Sequence, residues 1–574
     1  MENPNIVTNF DYKVIILGAG AAGIRTAIEL KKNNISCLLI SKRKHDDAHT
    51  KMAAGGINAS LGSLDPDDNW KIHAADTIRE GYFINDPSAV EVVCKQAPEA
   101  VLELQKWGCK FNLTEDGKIN QRFFGAQSFR RTCFSGDETG KEILRTLVAK
   151  AKAEAIEHQE GIYIFKILKS NERITGALGY DMVNEQFVHY LSPVVVIACG
   201  GYASVYSRSS SRQGENTGDS ISLALQAGAR VMDMEMVQFH PTGMVSPQSY
   251  LGKLVTEAVR GEGGILVNKT GERFMEKYAP EQMELATRDE VARAIAKEIL
   301  EGRGTKNSGV FLDISHKDKD FIKDRLPHMY ERFSGIGIDI SKKPMEVAPT
   351  SHYSMGGIEV DFTTGSTGVK GLYAVGEATA GLHGANRLGG NSLAETIVLG
   401  KITGNSIAEY LTTQATIEKK GNDTTIQLPQ FPNYLSAEKL IKDVKELLWL
   451  HAGIIRSQKI LEEGLEKLEK IQKNLKGHEQ QTEFNAENFL MSLDLHNIMV
   501  VAELILKSAL ERKESRGAHF REDFPEERKH WCKNILWGKT QAGYQISSKD
   551  IPEVGRDIKE VLEAHYRLDY HQLE

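Results

Sequence analysis

The sequence predicts an α/β fold built on a discontinuous, Rossmann-like nucleotide-binding domain. Three observations predict it. A short apolar run, Lys13-Val14-Ile15-Ile16-Leu17, leads into the turn Gly18-Ala19-Gly20-Ala21-Ala22-Gly23. A second run, Val194-Val195-Val196-Ile197-Ala198, leads into Cys199-Gly200-Gly201. A third, Gly371-Leu372-Tyr373-Ala374-Val375, leads into Gly376-Glu377. Short apolar runs bounded by glycine read as buried parallel strands. Their recurrence at the start, middle and later part of the chain predicts one domain with an insertion between about residues 245 and 350.

The first unit is the most explicit. After the glycine turn, Ile24, Ala27, Ile28 and Leu30 give a helical face, and Cys37-Leu38-Leu39-Ile40 gives a second strand, which completes a βαβ unit. Gly18 permits the tight turn, Gly20 lets a pyrophosphate approach the backbone, and Gly23 lets helix and strand pack closely. The helix N-terminus adds N–H donors and a positive dipole end. A purely structural glycine turn is the competing reading.

The second strand ends Ile40-Ser41-Lys42, without the acidic residue a nicotinamide site uses. Gly214-Glu215-Asn216-Thr217-Gly218-Asp219 supplies another acid, although the same residues also read as a plain helix cap. About 25 residues beyond the glycine turn, His49-Thr50 precedes the small-residue loop Ala53-Ala54-Gly55-Gly56-Ile57. Read with the glycine turn, a lone histidine so placed suggests a tethered flavin, although a lone loop histidine is ordinarily a surface or core-satisfied residue.

Further along, the stretch 412–430 reads as a polar linker. Leu440, Val444, Leu447 and Leu448 then repeat at helical spacing, and Ile454, Ile455, Leu461, Leu465 and Leu468 are read as continuing that helical pattern. Residues from about Asn534 onward carry no clear signal.

A chain of 574 residues predicts two to four domains. Its apolar fraction of 41% and charged fraction of 26% are those of a globular protein. The net charge of −7, from 71 basic and 78 acidic residues, gives no reason to expect nucleic acid as a partner. The first five residues have no signal-peptide pattern, and no apolar run approaches the roughly 18 residues that span a bilayer. Membrane association is therefore expected only through another subunit. Cys37, Cys94, Cys109, Cys133, Cys199 and Cys532 form no C-x-x-C pair, so no metal or iron–sulfur centre is expected in this chain.

Ordered motifs from about residue 10 to 530 resemble the flavoprotein subunits of succinate dehydrogenase and fumarate reductase. They include His49-Thr50, Arg130-Arg131-Thr132-Cys133, Phe239-His240-Pro241-Thr242-Gly243, Val255-Thr256-Glu257, His352-Tyr353, the run from His383 to Ser392, and Ser515-Arg516-Gly517-Ala518-His519. The resemblance implies a discontinuous Rossmann-like FAD-binding domain (1–245 and 346–415) with an inserted α+β capping domain (246–345). It also implies a C-terminal helical bundle (430–533) and a small C-terminal segment (534–574). FAD would be joined covalently to His49 and contacted by Gly18, Ala19, Gly20, Ala21, Ala22, Gly23, Ser41, Lys42, Thr50, Gly55, Gly56, Asp219, Glu377, Asn391, Ser392 and Leu393.

The implied chemistry is interconversion of succinate and fumarate, with hydride transfer at flavin N5. His240, Thr256, His352 and Arg387 would hold the substrate carboxylates, and Phe124 would pack on the substrate. Arg288 would transfer the proton and be reloaded through Glu257 and Arg260, three residues apart on one helical face. Read singly, these residues are equally capped strand ends, phosphate ligands and structural ion pairs. The resemblance further implies a separate iron–sulfur subunit, membrane anchor subunits beyond it, and a cytoplasmic position on the inner face of the cell membrane. Two departures stand out. Ala54 replaces the usual Gln or Glu beside the glycine pair, and the segment between Ser128 and Arg130 is short. The rival readings are L-aspartate oxidase, which normally lacks the histidine matched by His49, and a non-catalytic electron conduit.

Overall fold

The computed structural model describes residues 6–413, 437–476, 484–541 and 543–564. Five parallel strands form the central sheet, in the order Leu372–Ala374, Val195–Ile197, Val14–Leu17, Cys37–Ser41 and Glu157–Glu160. Ile15 lies opposite Val195, and Val195 opposite Leu372. Segments far apart in the chain thus close one sheet. Its central strands are buried throughout, which accounts for their unbroken apolar sequence.

The helix Ala21–Lys32 packs against the helix Asn391–Thr413, so the start and the return of the chain share one layer. A four-stranded sheet between them has its own hydrophobic core, which runs from Met244 through Val259, Leu266 and Leu312 to Val347. Within this sheet Val237–Met244 pairs antiparallel with Met345–Ser354. That pairing sets His240 opposite Thr350 and Gln238 opposite Tyr353. The helix Arg288–Leu300 lies against Val237–Met244, and its start is fixed by a capping box between Thr287 and Glu290.

Three features differ from the sequence reading. The helical pattern does not run on through Ile454 and Ile455: Ala437–His451 and Gln458–Lys476 are separate helices. Arg456, fully buried, draws the chain out of the helix by donating to the carbonyls of Gly453 (2.8 Å) and Glu235 (2.9 Å). Next, the helix Ala486–Glu511 reaches a mean hydropathy of 1.7 over 18 residues, long and apolar enough to cross a membrane by length and composition. Polar residues such as Asp494 and Asn497 interrupt it in sequence, which hides the average. Two-thirds of that window is buried inside the protein, with Ile498, Val501 and Ile505 in the main core. Finally, the described residues after Asn534 form regular elements. Lys533–Thr540 and Gly543–Asp550 form a hairpin that pairs with Val231–Met232, and Arg556–Glu563 is helical. The stretch read as a linker lies, beyond Thr413, outside the described residues.

Candidate active site

Two of the three turn glycines are required by the protein itself. A Cβ on Gly18 (φ +117°) would lie 2.1 Å from the Ala198 carbonyl oxygen, and one on Gly23 would lie 2.0 Å from the Gly18 carbonyl oxygen. Gly20 is different. Its nearest protein neighbour would be Thr50 Oγ1 at 3.4 Å, an ordinary contact. Nothing in the chain forbids a side chain there, so the bare backbone serves whatever docks on it. This matches a pyrophosphate laid over the start of the helix. Ala19, Ala21 and Ala22 keep the turn small and buried, and Ala21 N–H donates to Thr50 Oγ1 (3.0 Å).

The end of the second strand is joined to an acid from elsewhere in the chain. Asp219 opens the helix Asp219–Ala227, where a negative charge suits the helix end. It pairs with Lys42 Nζ at 2.5 Å and accepts from Asn497 (3.1 Å) and Thr217 (2.7 Å). Ser41 Oγ donates to the Arg43 carbonyl (2.6 Å). Glu377, half-buried, accepts from the Ser354 amide and hydroxyl (3.2 Å each). Burial pushes its carboxyl up to about 7.

His49 is partly exposed, and its Nδ1 lies 3.1 Å from Glu215 Oε2. With Nδ1 engaged, Nε2 is the ring nitrogen left for another bond. Gly55 and Gly56 follow, and a Cβ on Gly56 would lie 2.4 Å from Thr132 Cγ2. The sequence reading places Asn391 among the cofactor contacts. Its side chain turns inward to Asn58 (2.7 Å), His73 (2.8 Å) and Thr77 (2.9 Å), so it anchors the helix start. Ser392 Oγ instead accepts from Arg387 Nη1 (3.4 Å), and Leu393 is buried beneath.

Beside this cleft lies a small cavity bounded by Glu80, Gly125, Glu257, Arg288, Arg387 and Gly389. Arg288 pairs with Glu257 Oε2 at 2.9 Å. Behind that carboxylate sits Arg260, with Nη2 3.8 Å from Glu257 Oε2. Arg288 and Arg260 hold the Glu257 carboxyl down at about 2 against the opposing effect of burial. Arg288 Nη1 and Arg387 Nη2 both donate to Gln238 Oε1, at 3.1 and 3.0 Å. Arg387 also lies 4.6 Å from the centroid of the Tyr353 ring, and burial lowers it to about 10.

The rings of His240 and His352 are 5.5 Å apart, edge to face. Burial and the neighbouring arginines push His240 well below the usual imidazole range; burial, then His240 and the arginines, do so for His352. His352 Nδ1 meets Ser210 Oγ (2.9 Å), and His240 Nδ1 accepts from the Thr242 amide (3.3 Å). Thr256 Oγ1 accepts from the Ala258 amide at 3.4 Å, at the start of the short helix Ala258–Gly261. Phe124 lies between Gly55 and Gly389, with its ring atoms 2.6 and 3.0 Å from where Cβ atoms would stand. It therefore joins the nucleotide loop to the cavity wall.

The FAD binding domain family matches residues 13–393, and the fumarate reductase flavoprotein C-terminal family matches 441–561. One subunit of the fumarate reductase (CoM/CoB) of Methanothermobacter marburgensis is 41% identical over 92% of this chain and 97% of its own length. The succinate dehydrogenase flavoprotein subunit of Rickettsia bellii is 36% identical over 94% of each. A chain of a variant E. coli quinol fumarate reductase superposes with a TM-score of 0.88 at 32% identity, covering 96% of this chain and 99% of that one. The chain belongs to the succinate dehydrogenase/fumarate reductase flavoprotein family. It is a FAD-binding oxidoreductase, and the expected fold class is borne out.

Several residues of this cleft and cavity escape a reading of the sequence. Gln238 is visible only as the residue before Phe239-His240, yet it bridges both arginines. Glu215 stands in a recognisable turn that gives no hint of its link to His49. Glu80 carries no motif at all. Among the described residues, His45, His158 and Glu160 place ligand-type atoms within 4.8 Å of one another, and His45 Nδ1 already bonds Glu160 Oε1 at 2.6 Å.

Proposed function

We propose that this flavoprotein interconverts succinate and fumarate, with Arg288 moving the proton. The observation that carries this reading is the contact of Arg288 with Glu257 at 2.9 Å on the wall of a cavity that Arg387 also lines. Bound FAD supplies the hydride chemistry. The glycine turn at 18–23, Lys42 with Asp219, Glu377 and the Gly55-Gly56 loop would hold it. His49 Nε2 would form the covalent link, oriented by Glu215 at Nδ1.

Arg387 holds one substrate carboxylate as a cation, and His352, kept neutral, contributes an N–H donor. His240 and Thr256 hold the second. Both imidazoles bind as dipoles, which leaves the positive charge on the guanidinium groups. A guanidinium seldom gives up its proton, so Arg288 needs immediate reloading. The Glu257 carboxylate at 2.9 Å, backed by Arg260, provides that route. The separate core of residues 244–347 supports reading 246–345 as a cap that carries Arg288 over the cleft. Electrons leave or arrive through a separate iron–sulfur subunit, which would also tie the chain to the inner face of the membrane through anchor subunits. The relatives' own designation as subunits supports this.

The test is succinate oxidation and fumarate reduction with artificial electron carriers. Arg288→Gln and Arg288→Lys are expected to lower turnover by about 10²–10⁴-fold, the usual value of a positioned proton donor. FAD content should be unchanged. Near-normal turnover by either variant removes Arg288 from the role.

A further inference from the structure

Glu80 lies at the end of the helix Trp70–Glu80 and lines the same cavity as Glu257, Arg288 and Arg387. It is buried, and its Oε1 accepts one hydrogen bond, from Asn386 Nδ2 at 2.7 Å. The same amide nitrogen donates to Asp289 Oδ1 at 2.9 Å. One amide therefore bridges two carboxyl groups. Their remaining partners are unequal. Asp289 also has Arg293 at 2.7 Å, Thr287 Oγ1 at 2.7 Å and the Tyr82 hydroxyl at 3.2 Å. Glu80 has no ion-pair partner among the described residues.

A buried carboxylate without a counter-ion is more costly than the neutral acid. The groups acting on Glu80 come from every side. Asp289, Glu290 and Arg288 belong to the helix Arg288–Leu300, and Glu257 stands across the cavity. Burial and Asp289 raise the Glu80 carboxyl well above the usual range, and Arg288 opposes them only in part. An acid kept neutral in this way has an O–H to donate to a carboxylate. Once ionised, it would face an incoming dianion with a like charge.

We propose that Glu80 is a specificity-determining residue of the dicarboxylate site, which admits a dianionic substrate only while the Glu80 carboxyl carries its proton. This rests on the functional reading above and deepens it. The proton stays on Glu80 throughout; it is not a second donor to carbon, since Arg288 holds that place.

The test is the pH dependence of kcat/KM and kcat for succinate and fumarate, together with malonate binding followed by flavin absorbance. In the wild-type holoenzyme, kcat/KM and malonate affinity should both fall about tenfold per pH unit on a high-pH limb, with a smaller change in kcat. Glu80→Gln, which is always neutral, should lose that limb. Glu80→Asp, which restores an acid, should keep one. A limb that persists unchanged in Glu80→Gln, or vanishes in Glu80→Asp, overturns the proposal. Failure of the wild type to bind or turn over any dicarboxylate at any pH defeats the functional reading and this proposal together. An unchanged limb in Glu80→Gln defeats this proposal alone.

Discussion

Gly18 and Gly23 shape the nucleotide cleft through steric limits set by backbone oxygens that a Cβ would approach to 2.1 and 2.0 Å. The adjoining cavity is shaped instead by charged and amide side chains from residues 238, 257, 288 and 387, which meet only in three dimensions. The first region is local: one turn, one helix end, one strand crossing. The second depends on the pairing of Val237–Met244 with Met345–Ser354 and on the helix Arg288–Leu300 laid across it. A local device tolerates no added atom at its crowded positions, Gly18 and Gly23, but needs few partners. A distributed one tolerates small changes of shape but fails when any charge loses its match.

The sharpest test of this contrast is within the glycine turn. Gly18→Ala puts a methyl group into the Ala198 carbonyl at an unfavourable positive φ, and should cost about 3 kcal/mol of fold stability. Gly20→Ala meets only Thr50 Oγ1 at 3.4 Å, so the apoprotein should melt within about 0.5 kcal/mol of wild type. Its FAD affinity should nonetheless fall. Thermal unfolding with and without added FAD separates the two. Equal destabilisation of both apoproteins would end the claim that Gly20 is kept for the ligand.

The distributed region is tested at Gln238, whose Oε1 accepts from both Arg288 and Arg387. Gln238→Leu removes the acceptor that lets two like charges approach. Mutual repulsion should then displace the carboxylate clamp, raising KM for succinate about tenfold, a loss of about 1.4 kcal/mol. Turnover should fall less. A fall in kcat with KM untouched would mean that Gln238 serves the proton step instead.

The same contrast decides how much the sequence makes legible. The glycine turn, the buried strands and the helix after them are encoded in contiguous residues, so period and punctuation reveal them. Arg288 and His352 acquire meaning only from pairing across elements, and spacing alone leaves them as structural ion pairs or core histidines. The resemblance of ordered motifs brings them into view. Gln238 and Glu80 stay hidden because an amide and a carboxyl outside any motif announce nothing until their neighbours are known. Helix Ala486–Glu511 is hidden for another reason: a few polar residues facing Asp219 and Tyr163 break an otherwise apolar sequence.

The link between the two regions is testable at the loop that carries His49, where the expected effect on the fold is smallest. His49 Nδ1 sits 3.1 Å from Glu215 Oε2, and Glu215 is itself held by Arg212 at 2.6 Å. His49→Ala should leave FAD bound but release it in acid, so the protein band loses its flavin fluorescence after denaturing electrophoresis. Glu215→Gln keeps the shape and removes the charge that draws the proton of the ring to Nδ1. Nε2 then carries its lone pair less often, and the fraction of covalent flavin should drop while total FAD stays near wild type. If Glu215→Gln binds FAD normally and flavinates fully, ring orientation is set by the loop backbone alone. In that case the tether belongs with the local steric devices of the nucleotide cleft rather than with the charge-matched cavity beside it.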